Sequence, residues 1–274
     1  MNLCLNKYME FKIKNNKIIK YTRWNQKYVV IPEGIKEIGY EAFREHNEIE
    51  YVKIPNSIEN ISFKAFYKFK GIVSKEAIFN LDLNFKDKHI QDIIQFGKYP
   101  YTKNGDCLPI EWKIIDETKD SLLIISKECI DCQQYYDDWQ VISWKNSSIR
   151  NWLNTLFYNY AFTEIEKSKI MQTDRNVLKT LPIQDNQNTK DYIFLLNENE
   201  VKSYFPNPLQ RISKASPHTI IKGMDNYESG CWWWIQNPGK KGEYCAVGID
   251  GNIYNFGIYM TYYHGIRPCL WIQK

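Results

Sequence analysis

Alternation and periodicity divide this chain into elements. Ile110–Asp116 (IEWKIID) and Ser121–Lys127 (SLLIISK) are rich in β-branched and aromatic residues, and the polar quartet Glu117–Asp120 between them predicts a β-hairpin. From Ser147 or Ser148 the apolar residues Ile149, Trp152, Leu153, Leu156, Phe157 and Tyr160 recur at steps of three, one, three, one and three. That single stripe at helical period predicts a helix with one buried face. Thr163 with Glu166, and Asn197 with Glu200, have capping-box spacing and predict short helices running toward Ile170 and over Val201–Phe205. Between them Tyr192–Leu196 (YIFLL) reads as a buried strand, and the polar, aperiodic stretch Asp174–Asp191 as a loop. Tyr244–Ile249 and Asn252–Phe256 flank Asp250-Gly251, a dipeptide suited to the positive φ angles of a tight hairpin. The last apolar run, Gly265–Ile272, contains Pro268, which has no backbone donor, so this strand is expected at a sheet edge or broken at the proline.

The N-terminal part repeats itself. IPEGIKEIGYEAF at Ile31–Phe43 and IPNSIENISFKAF at Ile54–Phe66 share Ile-Pro, the pairs Ile35/Ile38 and Ile58/Ile61, and a closing Ala-Phe, with a period of 23 residues. A unit this small cannot bury its own apolar face, so stacking copies is the physical reason for repetition. The preceding alternating segments, Phe11–Ile13 through Tyr28–Val30, fit a degenerate cap. The motif resembles the leucine-rich repeats of bacterial surface-antigen type, with one departure: Ser62 stands where the first copy has Gly39. Solenoids ordinarily stack about three or more units, so two visible copies weigh toward a docking or structural role over an independent binding surface.

After Phe66 the repeat signal fades, and the boundary falls near Asp87–Gln91, giving a leucine-rich-repeat-like domain over 1–88 and a second domain over 89–274. FGKYP (Phe96–Pro100), PIEWKII (Pro109–Ile115), LLIISK (Leu122–Lys127), SWKNSSIRNWLNTLFYNYAF, DYIFLLNENE (Asp191–Glu200), CWWWIQNPG (Cys231–Gly239) and GIRPCLWI follow in order. They resemble a bacterial domain of unknown function that recurs beside such repeats, with Gln236 in place of an Arg and Asn197 in place of a Ser. The order of helices, strand, Trp block and closing G-x-R strand is also similar to the formylglycine-generating-enzyme-like branch of C-type-lectin-like folds. Together the resemblances imply an α+β protein: a short β-rich leucine-rich-repeat cap followed by a C-type-lectin-like α+β domain. Most members of that branch display ligands, while its oxidases use copper-binding cysteines near the C-terminus, so the likeness does not settle function.

Composition narrows the chemistry. In 274 residues, 36 Lys+Arg against 32 Asp+Glu leave a charge of +4, too small and too scattered for a duplex-binding surface. No apolar run approaches the ~20 residues that span a bilayer, so no membrane insertion is expected. The start, MNLCLNKYMEFKIKNNK, has no secretory h-region, and seven cysteines at irregular spacing read as free thiols, both pointing to the cytoplasm unless a leader has been removed to leave a secreted or surface protein. Cys129-Ile130-Asp131-Cys132 is a CxxC that lacks a second ligand pair for zinc and follows a strand instead of opening a helix, so a structural or incidental reading outweighs a metal or redox one. Cys245 and Cys269 are expected as buried small hydrophobes. Because Trp233 alternates with Trp232 and Trp234, at least one of the three rings is expected to be partly exposed. No catalytic, metal or cofactor residues are assigned. The reading that follows is non-catalytic recognition of a protein or carbohydrate ligand through the loops Tyr135–Trp144 and Tyr259–His264, with Trp139, Trp144, Trp232, Trp234, Tyr262, Tyr263, His264 and Arg267 as candidate contacts. A metal- or thiol-dependent oxidase using Cys245 and Cys269, and a structural subunit of a larger assembly, are its rivals. Nothing in the sequence signals an oligomeric state.

Overall fold

The 23-residue period becomes a stack of very short strands in the computed structural model, which describes residues 10–137, 143–175, 188–224, 228–238, 243–255, 259 and 261–274. In unit 1 these are β1 (Phe11–Lys14), β2 (Lys17–Tyr21), β3 (Tyr28–Val30), β4 (Glu37–Ile38), β5 (Tyr51–Lys53), β6 (Asn60–Ile61) and β7 (Ile72–Ser74). β1 and β2 form an antiparallel hairpin, from which β4 and β6 continue in parallel; β3, β5 and β7 form a second parallel sheet. Equivalent residues lie one above another: Ile18, Ile38 and Ile61 in one sheet, Val29, Val52 and Val73 in the other, all buried. The Ala-Phe pairs close the core, with Phe43 stacked between Tyr21 at 5.1 Å and Phe66 at 4.7 Å. Gly39 is required because a Cβ there would lie 2.9 Å from the Ile18 carbonyl oxygen.

Unit 1 comprises Met1–Ile78 together with Pro100–Leu108 and Ser216–Tyr227. The last two segments lie beyond the single boundary drawn near Asp87–Gln91, and their hydrogen bonds explain their place. Where the first repeat bonds the second through Phe43 N–H to the Ala65 carbonyl, the second bonds Ile221 through the Phe66 N–H, and Ile220 through the Lys64 N–H. Ser216–Lys222 thus stands where a further repeat would be, and Lys222, fully buried, donates its Nζ to the Gly71 carbonyl at 3.0 Å. The Lys75 N–H bonds the Gly105 carbonyl at the end of β7.

Unit 2 comprises Phe79–Tyr99, Pro109–Ala215 and Glu228–Lys274. Its elements are β8 (Ile93–Pro100), β9 (Cys107–Glu117), β10 (Ser121–Ser126), β11 (Asp131–Gln133), α1 (Ser148–Trp152), α2 (Tyr158–Ala161), α3 (Glu164–Lys169), β12 (Ile170–Met171), β13 (Thr173–Arg175), β14 (Thr189–Asp191), α4 (Glu198–Tyr204), β15 (Trp233–Pro238), β16 (Tyr244–Val247), β17 (Ile253–Tyr254), β18 (His264–Ile266) and β19 (Cys269–Gln273). One sheet has the order β12-β19-β10-β9-β8, another β11-β18-β15-β16-β17, and β13 pairs with β14. The β9–β10 hairpin and both capping boxes form as their residues predict. The striped helix starts on the Ser147 cap, and a π-helical turn, Leu153–Phe157, joins α1 to α2.

Three expectations need correction. Tyr192–Leu196 is buried from Ile193 onward but is not a strand; among its residues only Phe194 makes a bridge, to Cys269. Asn154 replaces the ladder there, its Oδ1 accepting from the Tyr192 and Ile193 N–H groups and its Nδ2 donating to the Ile193 carbonyl. The stretch read as the loop Asp174–Asp191 begins and ends in paired strands, with 176–187 outside the described residues. At Asp250-Gly251 only Gly251 has positive φ, +76°, and a three-residue loop closed by the Gly248 N–H to the Asn252 carbonyl replaces the two-residue turn. The closing run is broken at the proline, one of the two expected outcomes: Arg267-Pro268 separates β18 from β19, and β19 lies between two neighbours. The protein is a strand-rich α+β protein, 35% strand and 17% helix, with a leucine-rich-repeat-type N-terminal region. No helix among the described residues is long and apolar enough to cross a membrane.

Candidate functional site

The hairpin β16–β17, the start of β15 and the entry to β18 bring a run of rings together. Trp232 precedes β15 and lies 4.7 Å from Tyr254 on β17; it also stacks on His264 at 5.7 Å and 22°. His264 meets Tyr262 edge-on at 5.9 Å, and Tyr262 meets Tyr259 at 5.4 Å. Tyr254, Tyr259 and Tyr262 are 37%, 39% and 45% exposed, so the run presents three tyrosine edges to solvent over a half-buried Trp-His pair. Local bonds hold it in place. The Tyr254 hydroxyl donates to Asp250 Oδ2 at 2.8 Å, Asn252 Nδ2 donates to the same oxygen, and Gln134 Nε2 donates to the Thr261 carbonyl. The Asn252 side chain, its N–H and the Tyr254 hydroxyl hold the Asp250 carboxyl below its usual range, and donating that bond to the carboxylate makes the Tyr254 hydroxyl harder to deprotonate, raising its pKa.

His264 is the one imidazole in the run. Its Nδ1 lies 3.1 Å from the Tyr263 carbonyl, while its Nε2 is sealed from solvent without a partner. Burial pushes its pKa down to about 4, against a smaller opposing effect of the Tyr263 carbonyl, so the ring is neutral near pH 7. Behind it, at 4.5 Å, lies Trp234, which is fully buried and donates its Nε1 to the Gln133 carbonyl at 2.8 Å.

The remaining sequence candidates lie elsewhere. Trp144 is fully buried, donating Nε1 to Asp191 Oδ2 at 2.7 Å; Asp191 also receives Arg150 Nε and the Thr189 hydroxyl. Arg267 is 5% exposed, donates Nε to the Ser126 carbonyl and lies over the rings of Trp233 and Phe205. Tyr263 is half-buried beside His264, and Trp139 falls outside the described residues. Trp232 is the partly exposed member of its triplet; Trp233 is buried with Trp234 because its Nε1 reaches the Arg211 carbonyl on the other face. Tyr254 was absent from the candidates. Its hairpin was readable, but its neighbour Trp232 comes from a separate segment.

Cysteine chemistry also has a different geometry from the sequence pattern. Cys245 in β16 and Cys269 in β19 belong to different sheets; burial pushes the Cys245 thiol up to about 12 and raises Cys269 well above its ordinary value. Cys129 has its sulfur 3.3 Å from that of Cys231, 102 residues away. Among the described residues no three His, Cys, Asp or Glu side chains converge as ligands for a metal ion.

Two family descriptions match the chain. "BspA type Leucine rich repeat region (6 copies)" matches residues 13–83, and "Domain of unknown function (DUF6273)" matches residues 119–274. Neither supports the formylglycine-generating-enzyme-like assignment. No curated protein and no solved structure matches the chain. With the second match covering more than half of its residues, behind a leucine-rich-repeat region, the chain belongs to the DUF6273 family.

Proposed function

We propose that this chain is a non-catalytic recognition protein, holding a protein or glycan ligand against the exposed tyrosines Tyr254, Tyr259 and Tyr262. The observation that carries this reading is the unbroken run of five rings from Tyr254 to Tyr259, anchored from beneath by Trp234 and lined at its outer edge by hydroxyls. Rigid rings give large contact area at low entropy cost, and their hydroxyls add directional bonds, a combination suited to sugar faces and to peptide side chains. Leucine-rich repeats often mediate protein interactions, which favours a protein partner for unit 1. Within this reading residues 89–274 are a C-type-lectin-like display scaffold, a proposal supported by the strand-rich α+β make-up and by loops that carry exposed tyrosines.

The test is a glycan array and a pull-down with the full chain, followed by affinity measurement for Tyr262→Ala and Tyr259→Ala. Each substitution is expected to weaken capture about tenfold, ~1.4 kcal/mol, with an unchanged thermal midpoint because neither ring is in a core. Undiminished capture rejects the tyrosine run as the binding surface. Copper-dependent thiol oxidation, lost in Cys245→Ala and Cys269→Ala, establishes the rival enzyme reading.

A further inference from the structure

Within unit 2 the segment Ser213–Ala215 holds two distant parts of the chain in register. The Cys129 N–H bonds the Lys214 carbonyl at 2.8 Å, and the Cys231 N–H bonds the Ser213 carbonyl at 2.9 Å. The two backbones are therefore fixed by adjacent carbonyls, and their side chains meet, Sγ to Sγ, at 3.3 Å. Both sulfurs are interior: Cys129 is 0% and Cys231 4% exposed.

The surroundings are shaped to the pair. Gly265 in β18 faces it, and a Cβ there would lie 2.7 Å from the Cys129 sulfur and 3.2 Å from the Cys231 sulfur. Any larger residue at 265 would take the space the two sulfurs occupy. Arg267, two residues on, is a buried guanidinium whose Nη1 has no hydrogen-bond partner, and among the described residues no carboxylate pairs with it. Its charge favours thiolate at this place. Burial raises the Cys129 thiol, but the Cys231 thiol bonded to it, Arg267 and the Ser213 hydroxyl outweigh burial and lower it; the Cys231 thiol is raised.

We propose that Cys129 and Cys231 are a cross-linking pair, closing to a disulfide by exchange with a protein or low-molecular-weight disulfide, while Cys132 of the same CxxC stays outside the bond. In the folding or opened chain the thiolate of either cysteine attacks one sulfur of the external disulfide, forming a mixed disulfide and releasing one external thiol. The other cysteine gives up its proton and attacks the protein sulfur of the mixed disulfide, expelling the second external thiol. Two protein thiols are oxidised and one external disulfide is reduced to two thiols. Because both sulfurs are sealed in the closed fold, exchange belongs to the folding or opened chain, after which the closed fold shields the bond from reductant.

The test uses the full chain, refolded in oxidised glutathione or in dithiothreitol, alkylated in denaturant and digested with trypsin without reduction. The expected product of the oxidised sample joins residues 128–145 to residues 223–240, lighter by two hydrogen atoms than the sum of the two peptides, with fragment ions placing the bond on Cys129 and the alkyl group on Cys132. Cys231→Ser removes this product and Cys132→Ser keeps it. Oxidation raises the thermal midpoint of the native chain and of Cys132→Ser, and a reductant reverses the rise only under unfolding conditions. A Cys129–Cys132 bond in the native sequence overturns the proposal. So does alkylation of both Cys129 and Cys231 after refolding in oxidised glutathione, a result that depends on no variant.

Discussion

His264 shows how a single side chain turns placement into a measurable property. In an unfolded chain a histidine titrates near ~6.5, whereas burial between Trp232 and Trp234 holds this one to about 4. Between those values the unfolded state binds the extra proton and the folded state does not, so stability is complete above about pH 6.5 and is lost as pH falls toward 4. The contribution is on the order of 3 kcal/mol. Urea midpoints measured from pH 7 to 4.5 are expected to fall, and His264→Phe to flatten that slope; parallel profiles for the two proteins reject the assignment. From the sequence His264 could be named as a candidate beside Arg267, but its sign could not be read. The neutral ring, its Nε2 sealed, is a consequence of packing against Trp232 and Trp234, which come from a separate segment.

At the scale of elements, the helix α1–α2 and the segment after β14 form one device. Ser147 caps the helix, Arg150 reaches Asp191, and Asn154, at the π-helical turn, bonds both N–H groups of Tyr192 and Ile193 and the Ile193 carbonyl. Asn154→Ala is therefore expected to leave three backbone groups without partners, costing about 2–4 kcal/mol as read by chemical denaturation. Asn154→Asp is expected to lose less, because a carboxylate keeps the two acceptor bonds. Helix stripe and capping boxes were legible because their signals span three or four residues. YIFLL was misread because an apolar run of five fits a strand and a buried extended segment equally, and only Asn154, 38 residues upstream of Tyr192, shows which one forms. Gln236 adds a similar lesson. Its Oε1 accepts from Arg175 Nε and Nη2, and Arg175 also pairs with Glu200, so the arginine expected at 236 by resemblance would place two guanidiniums together.

On the scale of the whole molecule, unit 1 is completed by segments from far along the chain. Residues 1–88 alone contain both visible repeats but lack Ile220, Ile221 and Gly105, whose carbonyls receive the Lys64, Phe66 and Lys75 N–H groups. Such a fragment is expected to unfold without a cooperative transition, and those three amides, protected in the full chain, to exchange rapidly with solvent in it. A fragment with the full chain's cooperativity shows that the added segments are not needed. The same arrangement answers why two copies suffice to the eye: β7 supplies a third strand whose sequence has lost the Ile-Pro and Ala-Phe signatures, and Ser216–Lys222 takes the next place in the stack.

By itself the sequence determined what depends on neighbours along the chain: the repeat and its period, the caps, the helix stripe, the β9–β10 hairpin and the family blocks. These follow from steric and hydrogen-bonding rules that act within a few residues, or from copies that must stack on one another. Only the tertiary structure decided which rings share a surface, that Trp144 and Arg267 are interior, that Cys129 meets Cys231 rather than Cys132, and what completes the solenoid. Each of those joins residues from about a hundred positions apart or from separate strands, and burial, which sets exposure and proton affinity, is a property of the packed whole.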